Sequence, residues 1–353
     1  MTTTAGPHVT RTTLADGRAL HYFDDGPGRT RRTTDGRGLP APPDPAELRH
    51  DPLHDDWVVV AAHRQGRTHL PSSTDCPLCP SVPGRPTEVP ARDYDVVVFD
   101  NRFPSLPAAG PGGDAAGTCE VICFSADHET TFADLDDRRL ATIGQAWVDR
   151  TVELSRLPGV EQVFLFENRG DEIGATLRHP HGQIYAYPFV PARMQRALSV
   201  AATRRDAGLT CAACDLVERA GTGERLVWSS AEFVAVVPAA ARWPYEVQIF
   251  ARRHVPDLVE LSADELASMT DGLRDVLSRF GGLFGSPVPY VAACHQAPVR
   301  RDRDLAHLRF EVFTPRREKG KLKYLAASES AAGAWINDVS PEEAAARLRA
   351  VLP

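Results

Sequence analysis

His179-Pro180-His181-Gly182-Gln183 sets two imidazoles on either side of a proline, inside the stretch Val163 to Pro191. Proline fixes φ between them, and strand alternation would turn both rings to the same side of a sheet. One ring could then be held as a metal ligand while the other is presented to a substrate. Gly182 leaves room where a phosphate could approach, and Gln183 offers an amide donor to a phosphoryl oxygen. An isolated His-x-His is more often a surface or metal-bound pair without chemistry. Here the loop before it, with Asn168, Gly170, Gly174 and Thr176, and the Gly-Gln after it favour a site. Two Cys-x-x-Cys pairs, Cys76/Cys79 and Cys211/Cys214, are the other chemical signal. Such a pair is redox-active or metal-binding, and the prolines around Cys76 and Cys79 suit a rigid metal knuckle.

Composition bounds what these groups can serve. A chain of 353 residues can bury a large core and suggests two domains. A net charge of −7 and a pI near 6.0 argue against a nucleic-acid partner. Its three lysines, Lys319, Lys321 and Lys323, fall within five residues and hint at an anion contact there. No apolar run approaches the length of a membrane span and no signal-peptide core opens the chain, so a soluble, cytoplasmic protein is expected, with no membrane partner. Seven cysteines fit that compartment as metal ligands and buried thiols, not as disulfides.

The positioning elements are legible around the motif. Val163 to Phe166 and Ile184 to Val190 read as strands flanking the loop and the histidines. Residues 136 to 157 read as a helix with Leu140, Ile143, Trp147, Thr151 and Leu154 along one face, stopped by Pro158-Gly159. A second helix runs from Pro191 to about residue 206, and a capping box, Ser262 with Glu265, opens a third. Ser340-Pro341 caps a closing helix. Asp16-Gly17 between short alternating runs signals a hairpin in an N-terminal arm, residues 1–45, whose Arg29 to Pro45 stretch reads as a mobile loop or linker.

The landmarks then recur in order. Cys211/Cys214 repeats Cys76/Cys79, Glu246 to His254 repeats Glu120 to His128, and His307-Leu308-Arg309-Phe310-Glu311 stands where the double histidine stood. Separations agree: 51 residues from His128 to His179, 53 from His254 to His307. Duplication is the economical reading, with one half at 46–195 and the other at 196–353. Each copy supplies two cysteines and two histidines, the set a closed structural zinc site needs. The expected ligands are Cys76, Cys79, His128 and His179 in the first half, and Cys211, Cys214, His254 and His307 in the second. His181 has no counterpart but Arg309, so one half is expected to be catalytic and the other supporting. His295 reads as a satisfied loop histidine or a substrate contact.

Taken together, Phe166-Glu167-Asn168-x-Gly170, Gly174, Thr176 and His179-Pro180-His181-Gly182-Gln183 resemble the active-site segment of the galactose-1-phosphate uridylyltransferases, the transferase branch of the histidine-triad superfamily. The resemblance spans roughly residues 10 to 350. It implies an α+β fold of two tandem histidine-triad-like domains, antiparallel sheets with packed helices. It further implies transfer of a uridylyl group from UDP-glucose to galactose 1-phosphate through a uridylyl-histidine at His181, with Gln183, Asn168 and Thr176 stabilising charge on the phosphoryl oxygens. By the same likeness Arg49 reaches the substrate phosphates, Asn101 holds the nucleoside, Lys323 holds the sugar phosphate, and Glu329 contacts the sugar hydroxyls. Arg102 follows Asn101 where relatives often carry an acidic residue. A homodimer is also implied. The Cys2His2 set resembles that of a sister branch, the ADP-glucose phosphorylases, so a transferase for another nucleotide or acceptor is the nearest alternative. A zinc-stabilised nucleotide-binding protein without turnover is the alternative of another class.

Overall fold

The computed structural model describes residues 6–40, 46–66, 70–106, 117–220 and 223–351. In chain order its strands begin with the hairpin β1 (His8–Thr13) and β2 (Ala19–Asp24), then a separate hairpin, β3 (Glu47–Asp51) and β4 (Asp56–Val60). The first half continues with β5 (Val96–Asp100), β6 (Thr118–Cys123), helix α1 (Asp137–Ser155), β7 (Gln162–Arg169) and β8 (His181–Tyr187). Helices α2 (Ala192–Asp206) and α3 (Ala212–Ala220) lead into β9 (Leu226–Ser229), β10 (Phe233–Val236), β11 (Tyr245–Ala251), α4 (Ala263–Gly282), β12 (Tyr290–His295) and β13 (Arg309–Thr314). A small ribbon, β14 (Arg316–Glu318) with β15 (Lys321–Leu322), precedes α5 (Ala327–Ser330) and α6 (Pro341–Ala350).

Eleven of these strands form one antiparallel sheet in the order β1-β2-β5-β6-β8-β7-β12-β13-β11-β10-β9. Read outward from the β7–β12 seam, the order is the same in both directions when β7 is matched with β12, β8 with β13, β6 with β11 and β5 with β10. That is the topology of a duplicated unit, as the spacing of landmarks predicts. The seam pairs Asn168 with Val291 and Phe166 with Ala293, so the halves share one sheet instead of packing as two.

Helices α1 and α4 lie on one face of the sheet and close the main core. Phe132 stacks on Trp147 with centroids 6.0 Å apart, and Phe310 from the second half lies 5.6 Å from the same indole. Both helices start where the sequence predicts. Asp136 accepts from the Arg139 amide at 2.8 Å, and Ser262 and Glu265 make their reciprocal capping bonds at 3.2 and 2.8 Å. At the end of α1, Gly159 takes φ 78°, which a side chain would disfavour.

The N-terminal hairpin extends the sheet, and β2 is buried along almost its whole length. The loop after it forms no helix or strand through residue 40, but it is tied down. Arg31 pairs with buried Asp24, and Arg37 reaches Glu88 at 2.9 Å, joined there by Arg18 at 2.6 Å. Residues 1–5 and 41–45 of that arm lie outside the described residues. No described helix is long and apolar enough to cross a membrane.

Candidate active site and metal centres

Both predicted ligand sets assemble. In each, the four ligand atoms lie within 4.8 Å of one another. Cys79 Sγ is 3.4 Å from His128 Nδ1 and 3.5 Å from His179 Nδ1, and Cys214 Sγ is 3.5 Å from both His254 Nδ1 and His307 Nδ1. These are edges of a tetrahedron about a divalent ion at bond lengths of about 2.0–2.3 Å. The other ring nitrogens of His179 and His307 are committed to backbone carbonyls. His179 Nε2 donates to Ser125 O at 2.8 Å and His307 Nε2 to Ala251 O at 2.8 Å, equivalent positions after β6 and at the end of β11. Burial holds His179 and His307 down to about 3 and about 4, as neutral imidazoles ready to ligate. Burial, then the neighbouring Cys76, pushes Cys79 up to about 12; a bound cation reverses that by stabilising the thiolate. The donor sets therefore fit a metal ion.

The other face of the first half opens into a cavity of about 440 Å³. Alternation along β8 sends His181, Gln183 and Tyr185 to it, while Ile184 and Ala186 enter the helix-side core. β7 contributes Asn168, and the following loop contributes Gly174, at φ 77°, and Thr176. Asn101 comes from the end of β5. His181, Gln183, Asn101, Asn168, Gly174 and Thr176 are thus brought together as the sequence suggests.

Strand β8 begins at His181, so His179 sits before it, and its ring turns to the metal knuckle against Tyr94. His181 Nδ1 donates to His179 O at 2.7 Å, fixing the tautomer and leaving Nε2 without a protein partner among the described residues. Burial lowers the ring's affinity for a second proton, which keeps that nitrogen's lone pair free. Tyr185 Oη donates to Gln183 Oε1 at 3.1 Å, which leaves the Gln183 amide NH₂ to donate.

Gly182 corrects its sequence reading. A Cβ there would come within 2.9 Å of Phe124 Cζ and 3.0 Å of Phe166 O, on the core side of the sheet. Its smallness serves packing against Phe124 and the Phe166 carbonyl. Arg49, Lys323 and Glu329 do not line the cavity. Arg49 is exposed on β3 and paired with Glu47 at 2.7 Å. Lys323 is buried, 3.3 Å from Glu329 and over the Trp335 ring. His295 is not in a loop: it ends β12 and donates to Glu311 at 2.8 Å.

Sequence reasoning misses two cations of the cavity wall. Arg64 is carried inward by a 3-10 turn at Ala62–Gly66 and donates to Phe103 O at 2.8 Å. Arg102 also lines the wall, with Glu88 3.9 Å away. The position of Arg102 next to Asn101 is the only local signal for either.

Residues 42–191 match the family model for the N-terminal domain of galactose-1-phosphate uridyl transferase, and residues 212–352 match that for its C-terminal domain. A curated galactose-1-phosphate uridylyltransferase from Streptomyces lividans is 43% identical over 97% of this chain and 97% of its own length. One from Thermotoga maritima is 39% identical over 86% of this chain and 98% of its own. A solved uridylyltransferase structure, 32% identical, superposes with a TM-score of 0.77 and covers 86% of this chain and 97% of its own.

Proposed function

The chain belongs to the galactose-1-phosphate uridylyltransferase family and is an enzyme of that class; we propose that it moves a uridylyl group from UDP-glucose to galactose 1-phosphate through a covalent intermediate on His181. The observation that carries this reading is the His181 ring, pinned through Nδ1 to His179 O with Nε2 free in the cavity. Nε2 attacks the α-phosphorus, the bond from that phosphorus to the bridging oxygen breaks, and glucose 1-phosphate leaves with the electron pair. A phosphate oxygen of galactose 1-phosphate then attacks the same phosphorus. The P–N bond breaks, its pair returns to the imidazole, and UDP-galactose departs. Gln183, Asn168 and Thr176 donate to the phosphoryl oxygens as charge grows on them, Arg64 and Arg102 add positive field, and Asn101 faces the nucleoside.

Zinc is the ion we assign to both knuckles, because thiolates with imidazoles in closed tetrahedra select it. With four protein ligands at each, it would supply rigidity and no open coordination position. His179 hands that rigidity to His181 across one proline. We further propose the division into an arm at 1–45, a catalytic half at 46–195 and a supporting half at 196–353, and a homodimer as the working state. Exposed Leu53, Val58, Tyr324 and Ile336 supply apolar surface for such an interface. Lys323 toward the sugar phosphate, Glu329 toward the sugar hydroxyls and Arg49 toward the substrate phosphates keep their proposed roles only if a second copy brings them to the cavity.

Intact-mass measurement after mixing with UDP-glucose tests the central claim. A uridylyl adduct discharged by galactose 1-phosphate is expected, with ADP-glucose giving none. An unmodified protein that still turns over UDP-glucose and galactose 1-phosphate would reject it.

A further inference from the structure

The second half has a cavity of its own, about 460 Å³, on the same face of the sheet and bordered by α2. It holds the place, relative to β13 and β12, that the His181 cavity holds relative to β8 and β7. Arg309 stands where His181 stands. Among the described residues its guanidinium makes no ion pair or hydrogen bond, although it lines the cavity. Other arginines of the wall are accounted for: Arg193 is bidentate to Glu311 at 2.8 Å and Arg204 meets Asp215 at 2.6 Å. Among the described residues, Arg196, exposed on α2, has no carboxylate partner, and the Arg242 side chain has only the Trp335 ring. Against these three cations the wall sets one carboxylate, Glu246, already engaged by the Arg242 amide at 2.7 Å and by Gln248 at 3.0 Å. The balance favours an anion.

Gln162 borders the cavity but is fully buried, its Oε1 out of reach of any ligand there, so it takes no part in binding.

We propose that this cavity is a second, non-catalytic site for a phosphate ester, its phosphate held by Arg309 with Arg196. An arginine has no nucleophilic lone pair at neutral pH, so the ester is bound without transfer. The site is independent of the uridylyl-transfer reading, and its test is the binding event that depends on Arg309, whatever binds at His181.

Calorimetric titration of the metal-loaded protein with glucose 1-phosphate is expected to contain such an event. Arg309→Gln should weaken it by about tenfold or more, the loss of a charge-assisted bond. Arg196→Ala, at an exposed helix position, should weaken the same event less and leave the fold intact. Inorganic phosphate should compete with the ester for the same arginines. Adduct formation at His181 with UDP-glucose should be unchanged in both variants. Binding isotherms identical for parent, Arg309→Gln and Arg196→Ala overturn the proposal.

Discussion

The two halves of the sheet share strand order, a Cys-x-x-Cys pair, a crossing helix and even the carbonyl that holds the last histidine of each candidate metal set, yet they differ where it matters for chemistry. His181, Gly182 and Gln183 of the first half face Arg309, Phe310 and Glu311 of the second. Where Gly182 leaves space under Phe124, Phe310 fills the core against Trp147. Where Gln183 can donate, Glu311 cannot. Burial opposes its ionisation, yet bonds from His295 and Arg193 hold it well below the usual carboxylate range, so it accepts from both. The scaffold is therefore common to both halves, and the transfer chemistry is expected to rest on side chains that only one half carries.

The largest expected effect comes from erasing the sharpest difference. His181→Gly should remove adduct formation, a loss on the order of 10⁴-fold or more, while metal content and Tm stay close to those of the parent. Elemental analysis and a melting curve on the same sample separate this from misfolding. A His181→Gly protein that still forms the adduct would dissolve the contrast between the halves.

Gln183→Ala comes next. Loss of one donor to a developing phosphoryl charge should slow adduct formation by roughly 100- to 1000-fold, about 3 to 4 kcal/mol. Single-turnover mixing with UDP-glucose reads that step alone, and an unchanged rate would reduce Gln183 to a packing residue. On the supporting side, Cys211→Ser should halve the expected two zinc ions per chain. It should also lower Tm by several degrees and leave the folded fraction's activity nearly intact. His179→Asn should instead cost metal, stability and activity together. If Cys211→Ser proves as damaging to transfer as His179→Asn, the halves are coupled more tightly than their separate knuckles imply.

The smallest effect concerns Glu167, on the core side of β7 opposite Ala292. Burial, only partly offset by Arg169 and by the Tyr290 hydroxyl donating at 2.9 Å, raises it to about 7. A carboxyl whose folded pKa exceeds its unfolded value holds its proton more tightly when folded. Its stabilising effect is complete below about 4.5 and is lost as pH rises through about 7. That shift is worth at most about 3 kcal/mol. Glu167→Gln cannot titrate, so its Tm relative to the parent should improve from pH 5.5 to pH 8. A pH-independent difference would show that Glu167 keeps its charge.

Much of this was readable from local signals. Metal knuckles, helix caps and the double histidine each announce themselves within a few residues, and their repetition announces the duplication. What could not be read depends on distant partners. Gly182 is small because Phe124 lies beneath it, Arg64 matters because a single turn redirects it, and the seam joins residues more than a hundred positions apart. Lys323 and Glu329 show the same limit from the other side: their types match a substrate role, while their position pairs them with each other.

The β7–β12 seam carries a consequence for any attempt to study the halves alone. A fragment ending near residue 206 would leave the amide and carbonyl row of β7 bare along a flat apolar strand, an open template for another chain. Such a piece would be expected to form fibrous or amorphous aggregates unless a second copy of β7 or a supplied β12 peptide covered that row. Ancestral half-length proteins with this strand at their border would have met the same hazard, and self-pairing through β7 would have answered it before fusion made the pairing permanent.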